Sequence, residues 1–268
     1  MSPRSTTVAT PFDVREFART VQGSHRAEID AAGIAHAGLD ADAVHLVRVL
    51  RDLERGTLHR MRNLLVTATH KDARVTAFLT SWAFEKFWIA DALDAVLEAS
   101  GAGTAALTGP LRRTLAERAE RRGPIRRAIA GNIAGTQLVA AHVTTGLVDE
   151  WISQAAYRRL GEAASVLSGL AERLAALKDR HIAFLAEEAE RRLAASARAV
   201  KLTRKAIAQA AWPIGATEIP DADRRFFETF VFGGEAGRAS AAGIAERLAA
   251  LPGLGQAQGA AVAARLAS

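Results

Sequence analysis

The stretch "LKDRHIAFLAEEAERRL", residues 177–193, decides how this chain is read. Leu177, Phe184 and the preceding Leu170 and Leu174 recur at steps of three and four, the period of one helix face. His181 and Glu188 fall on that same stripe. An apolar seam that carries ionisable groups needs partners for them, because an unpaired buried charge is costly. Three residues before His181 stands Lys178, a cation on the same face.

Working outward, similar seams appear three more times. After "LDADAV" the residues Val47, Leu50, Leu53, Leu58, Met61 and Leu65 predict a helix to about residue 67, capped by Asp40 or Asp42, with Glu54 inside its apolar face. "AFLTSWAFEKFWIADALDAVLEAS" predicts a second helix stopped by "SGAG", burying Phe78, Trp82, Ile89, Leu93 and Val96 and carrying Glu85 and Lys86 at its middle. A third, over about residues 132 to 160, places Val143, Leu147, Glu150, Gln154 and Tyr157 on one stripe. The fourth spans about 163 to 211, longer than a globular helix usually runs, so it is expected to kink or break before Pro213.

Around these lie shorter pieces: a helix within about residues 13 to 32 ended by Gly33 and Gly38, and two closing helices near 221 to 231 and 237 to 249. The segment from about 104 to 131, divided by the "RRGP" turn, reads as a crossing connection between helix pairs. The expected organisation is an N-terminal tail with a short helix (1–40), a helical bundle (41–255) and a C-terminal tail (256–268). No repeat of 20 to 50 residues is visible.

Composition agrees with an all-α chain. Of 268 residues, 49% are hydrophobic and seven are proline, enough apolar material for one sizeable core with few helix breakers. The absence of cysteine removes disulfides and thiolate sites, so a metal here must use His, Asp or Glu. "MSPRSTTVATPFD" lacks the apolar middle of a secretory signal, and no long apolar run predicts a membrane span, so a cytoplasmic location is expected. The net charge of +6 is carried in part by "RRTLAERAERRGPIRR", where Glu117 and Glu120 interleave with arginines and aromatics are missing. That pattern fits a solvated helix face better than a nucleic-acid surface.

With these pieces in place, the chain resembles the ferritin-like superfamily, and within it the bacterial ferritin-like proteins related to diiron acyl desaturases. The resemblance covers residues 44 to about 255. It is carried by "FLTSWAFEKFW" (78–88), by Glu150 with Tyr157 seven residues on, by "RHIAFLAEEAERRL" (180–193), and by "AWPIG" and "FGGEAGR" in the tail. It implies a ferritin-like four-helix bundle with a long crossover connection and additional C-terminal helices, and a homodimer.

The same resemblance implies a dinuclear metal site in which one helix of each pair supplies Glu and the other Glu-x-x-His. This chain departs from that. Glu85 is followed at the third position by Trp88, and the frame ending at His181 begins with Lys178. Four candidate ligands remain, Glu54, Glu85, Glu150 and His181, where the family pattern has six. His59 and His142 are poorly spaced helpers.

The reading that follows is a core without metal, in which Lys86 near Glu54 and Lys178 near Glu150 replace the cations, Glu85 shares in the pairing, and Glu150, His181 and Tyr157 are the candidate catalytic groups. An apolar or acyl-type small molecule is the expected ligand of such a core, and no cofactor is expected. Two alternatives stand beside it: an iron- or manganese-dependent oxidase, oxygenase or desaturase with an atypical ligand set, and a non-catalytic dimeric structural protein. None of the phosphate-binding, dinucleotide-binding, serine-elbow or H-E-x-x-H motifs is present.

Overall fold

The computed structural model describes residues 11–107 and 135–267, so the basic "RRTLAERAERRGPIRR" stretch and most of the expected crossover connection lie outside the described residues. Among the described residues the chain is helical and contains no strand. In chain order the helices are α1 (Val14–Arg19), α2 (Ala31–Ala37), α3 (Ala41–Arg55), α4 (Thr57–Leu65), α5 (Ala73–Ala99), α6 (Leu138–Ala163), α7 (Ser168–Ala195), α8 (Ala197–Gln209), α9 (Asp221–Phe232), α10 (Gly234–Ala249) and α11 (Gln256–Leu266). No helix among them is long and apolar enough to cross a membrane.

Each long helix starts or stops for a local reason. Asp40 caps α3 by accepting from Ala43 N at 2.6 Å, and Asp72 caps α5 by accepting from Val75 N at 3.0 Å. Gly101, with φ of +70°, ends α5 in the left-handed region open to glycine, and its amide returns to Glu98 O. The break expected in the fourth helix falls at Ser196, whose hydroxyl accepts from Ala199 N and so starts α8.

Four features differ from the sequence expectation. The first strong helix does not run to residue 67 but ends at Gly56, where the guanidinium of Arg60 folds back onto Leu53 O and occupies the space a β-carbon would need. The turn into α4 leaves Leu58 exposed. Helix α5 begins at Ala73, earlier than its apolar pattern suggests, because the Asp72 cap precedes it. The aromatic group Phe78, Trp82, Phe84, Phe87 and Trp88 reads in sequence as core, yet Phe84 and Phe87 face outward, while Phe78 and Trp82 are buried as expected.

The ends of the chain also depart from tails. Residues 256–266 form α11, which packs on α10 with Val262 and Leu266 buried and Gly259 pressed against Ala245 O. At the other end the expected 13–32 helix divides into α1, a 3-10 turn at Arg26–Glu28 and the start of α2, and Gly33 lies inside α2 instead of ending a helix. After α1 the chain leaves the helix so that Gln22 N can donate to Glu85, and Phe17 is buried against Phe78 at 5.3 Å.

The core is built from two helix pairs, α3 on α5 and α6 on α7, with α8 also against α6. The short link at 164–167 makes α6 and α7 an antiparallel hairpin. Where the pairs face one another, the apolar packing is interrupted by a cluster of charged side chains.

Candidate functional site

Spacing along each helix brings these groups to one place. Trp82 and Lys86 are four apart on α5, Glu150 and Tyr157 are two turns apart on α6, and Lys178 and His181 are three apart on α7. Glu54 comes from the last turn of α3. Glu85, Glu150, Lys178 and His181 have no exposed surface, and Glu54 and Lys86 have 3% and 2%.

The central four residues form a closed ring of alternating charge. Lys178 Nζ lies 2.8 Å from Glu54 Oε1 and 3.3 Å from Glu150 Oε2; Lys86 Nζ lies 2.9 Å from Glu150 Oε1 and 3.1 Å from Glu54 Oε2. Each ammonium therefore bridges both carboxylates, where the sequence suggested one pair for each lysine. Taking a single ion out of water costs several kcal/mol, and a closed ring offsets this because no member lacks an opposite neighbour.

Neutral donors complete the ring. Tyr157 Oη donates to Glu54 Oε1 at 2.9 Å and Trp82 Nε1 to Glu150 Oε1 at 2.7 Å. The ammonium of Lys86 also sits 4.9 Å from the Trp82 ring centroid, and that of Lys178 5.6 Å from the Tyr157 ring. Among the described residues Glu54 Oε2 has an ion-pair neighbour but no hydrogen bond. It borders a cavity of about 10 Å³ shared with Arg60, Asp149 and Ile214, room for roughly one water.

His181 links the ring to a second layer. Its Nδ1 is 3.2 Å from Glu150 Oε2 and its Nε2 2.7 Å from Glu85 Oε2. An imidazole protonated at both nitrogens donates to both carboxylates, whereas a neutral ring sets one lone pair against an oxygen. Glu85 thus stands outside the ring, where its Oε1 accepts from Gln22 N at 2.8 Å and lies 3.4 Å from Arg180.

Burial pushes the Glu54 and Glu150 carboxyls upward, and the lysines reverse it. Glu54 is held below its ordinary value by Lys178 and Lys86, and Glu150 well below by the same two cations with help from His181. Burial alone favours neutral Lys86, yet Glu150 and Glu54 raise it above its ordinary value. Burial and then Glu54 drive the Tyr157 phenol well above the usual range. Asp149, outside the ring, is raised by burial against the pull of Lys86 and Arg60, and accepts from Ile214 N at 2.7 Å.

The donor set does not fit a dinuclear metal centre. The two ammonium nitrogens occupy the space between the Glu54 and Glu150 carboxylates, and among the described residues no three His, Asp or Glu are grouped so that they could hold a metal ion. His142 is kept away by Thr69, whose Oγ1 lies 2.8 Å from its Nδ1. Asn63 holds His59 on α4.

Glu54, Lys86, Glu150, Tyr157, Lys178 and His181 therefore meet, and Glu85 joins through His181. Sequence reasoning missed Trp82 as a donor, Gln22, Arg180, and Arg60 and Asp149 beside the small cavity at Glu54. The four-residue step from Trp82 to Lys86 is a usable signal; Gln22 lies in a segment that the sequence reads as helix and that the structure leaves outside any helix. A separate cluster surrounds the buried Glu188, which pairs with Arg74, Arg191 and Arg192 and secures the N-terminal segment through Arg74 to Phe12 O.

No protein-family model matches the chain, and comparison with curated proteins and with solved structures gives no match.

Proposed function

We propose that this chain is a metal-independent bundle of ferritin-like plan, in which Lys86 and Lys178 take the places of two divalent cations. On this reading the ring joins the two helix pairs and fixes their register, and the protein acts as a binding or structural bundle and not as an oxidase. The observation that supports it most directly is that each ammonium bridges both central carboxylates, at 2.8 to 3.3 Å. Organic cations on two helices do what ions do in metal bundles, but they are covalently part of the chain and need no loading.

Refolding tests this reading. Protein unfolded in urea with a chelator and then diluted should regain its helical signal and its cooperative melt without added metal. Recovery only when iron or manganese is supplied would refute it.

A second reading, that the core takes an apolar or acyl-type small molecule, is favoured by a cavity of about 30 Å³ lined by Phe78, Leu79, Trp82, Val143 and Leu185. Trp82 separates this space from Glu150, so a ligand there would touch the indole that donates to the ring. Its present size admits a group of a few atoms, well short of the several hundred Å³ typical of ligand pockets. An acyl chain enters only if Trp82 and Leu185 move apart. Organic extraction of purified protein followed by mass spectrometry tests it: one acyl ligand per chain supports this reading, and a clean extract counts against it.

A further inference from the structure

Between them, α6 and α10 enclose a groove of about 450 Å³ whose walls carry Arg158, Arg159 and Arg247 and none of the ring's charged residues. Arg159 is matched by Glu162 at 3.2 Å. Arg158 and Arg247 have no carboxylate partner among the described residues, and Glu246 is the remaining acid in the lining. Arg247 is instead held in place by neutral groups: its Nε donates to Gly243 O at 3.2 Å, and its guanidinium stacks 4.7 Å above the Trp151 ring. Partial burial and the nearby charge of Arg158 both work against its ionised form. A cation fixed by an aromatic ring, set beside a second cation and left without an anion, is an arrangement an incoming oxyanion stabilises.

Gly243 adds an independent observation. It lies in the interior of α10, where glycine is less favourable than alanine, yet a β-carbon there meets nothing within 4 Å. Packing does not demand it. Its effect is to leave the groove floor clear beside Arg247.

We propose that the α6–α10 groove is a binding site for a small molecule that carries a phosphate or carboxylate on a flat apolar body. The oxyanion sits between Arg158 and Arg247, and the body lies along Gly243 toward Ser240. This site is independent of how the central ring is read.

The test is isothermal titration calorimetry on the full chain with phenyl phosphate, benzoate and inorganic phosphate, and with benzyl alcohol as the neutral control. Saturable binding of at least one anion, at one per chain, is expected, with benzyl alcohol inert. Arg247→Met and Arg158→Met should each weaken it about tenfold or more. Gly243→Leu should abolish it by filling the floor while leaving both cations in place. Because Arg158→Met removes a like-charge neighbour, its thermal midpoint should equal or exceed that of the parent, which separates lost binding from lost folding. No saturable heat with any anion up to about 20 mM, equal binding of benzyl alcohol, or variants that bind like the parent would each overturn the proposal.

Discussion

Lys178 of α7 reaches across the bundle to place its Nζ 2.8 Å from Oε1 of Glu54 on α3, joining the two helix pairs at their buried centre. The same nitrogen contacts Glu150 on α6 at 3.3 Å, so one side chain ties three helices.

Removing this cation leaves two carboxylates sharing the single charge of Lys86. Lys178→Met is expected to lower the unfolding free energy by about 3–5 kcal/mol, the usual cost of stranding a buried ion. Pairing it with Glu54→Gln should recover a large part of that loss, because the stranded charge is gone. Urea unfolding of the two single variants and the double variant gives the coupling; additive losses would mean that the residues do not interact.

Lys178→Glu creates Glu-x-x-His with His181 in the frame that the ferritin-like resemblance expects, and adds a third carboxylate to the ring. This variant should be unstable alone and should gain thermal stability when manganese or cobalt is added, since a divalent ion then replaces the lost ammonium. The parent should show no such gain. Differential scanning fluorimetry with a metal series reads both outcomes.

The chain has a single tyrosine, so phenolate absorbance reports Tyr157 alone. Burial and Glu54 both oppose its ionisation. Absorbance near 295 nm should therefore stay flat through the pH range in which a free phenol ionises and rise only with alkaline unfolding. A titration near the ordinary phenol value of about 10 would place Tyr157 outside the ring.

Acid should destabilise the fold in two stages. His142 is lowered by burial from 6.5 to about 4, so the unfolded chain binds the extra proton and stability falls as pH drops from 6.5 toward 4. That stage is at most about 3–4 kcal/mol, and the partial exposure of the His142 imidazole reduces it. Glu54 and Glu150, also depressed, contribute stability that is present above their ordinary value of 4.5 and is lost as pH falls below it. His142→Leu should remove the first stage and leave the second, as measured by urea midpoints between pH 7 and 3.

Much of this site could be read from spacing. Glu54, Glu150, Lys178 and His181 interrupt apolar stripes of period 3.6, and helical geometry then forces them inward toward the same layer. What spacing does not carry is anything set by contact between distant segments. The break at Gly56 depends on Arg60 folding back onto Leu53 O, the N-terminal segment is positioned by Glu85, Phe78 and Arg74, and α11 is ordered by α10. Phe84 and Phe87 mislead for the opposite reason: both are large and apolar and lie among buried neighbours, yet the helix turns them to the surface. The bridging of both carboxylates by each lysine required all four helices at once.

Elemental mass spectrometry on freshly purified parent protein, set beside its thermal midpoint before and after exhaustive chelation, tests the lysine-for-metal core most directly. The account predicts less than about a tenth of an iron or manganese ion per chain and an unchanged midpoint. Near-stoichiometric iron or manganese, removed by the chelator together with the stability, would contradict it.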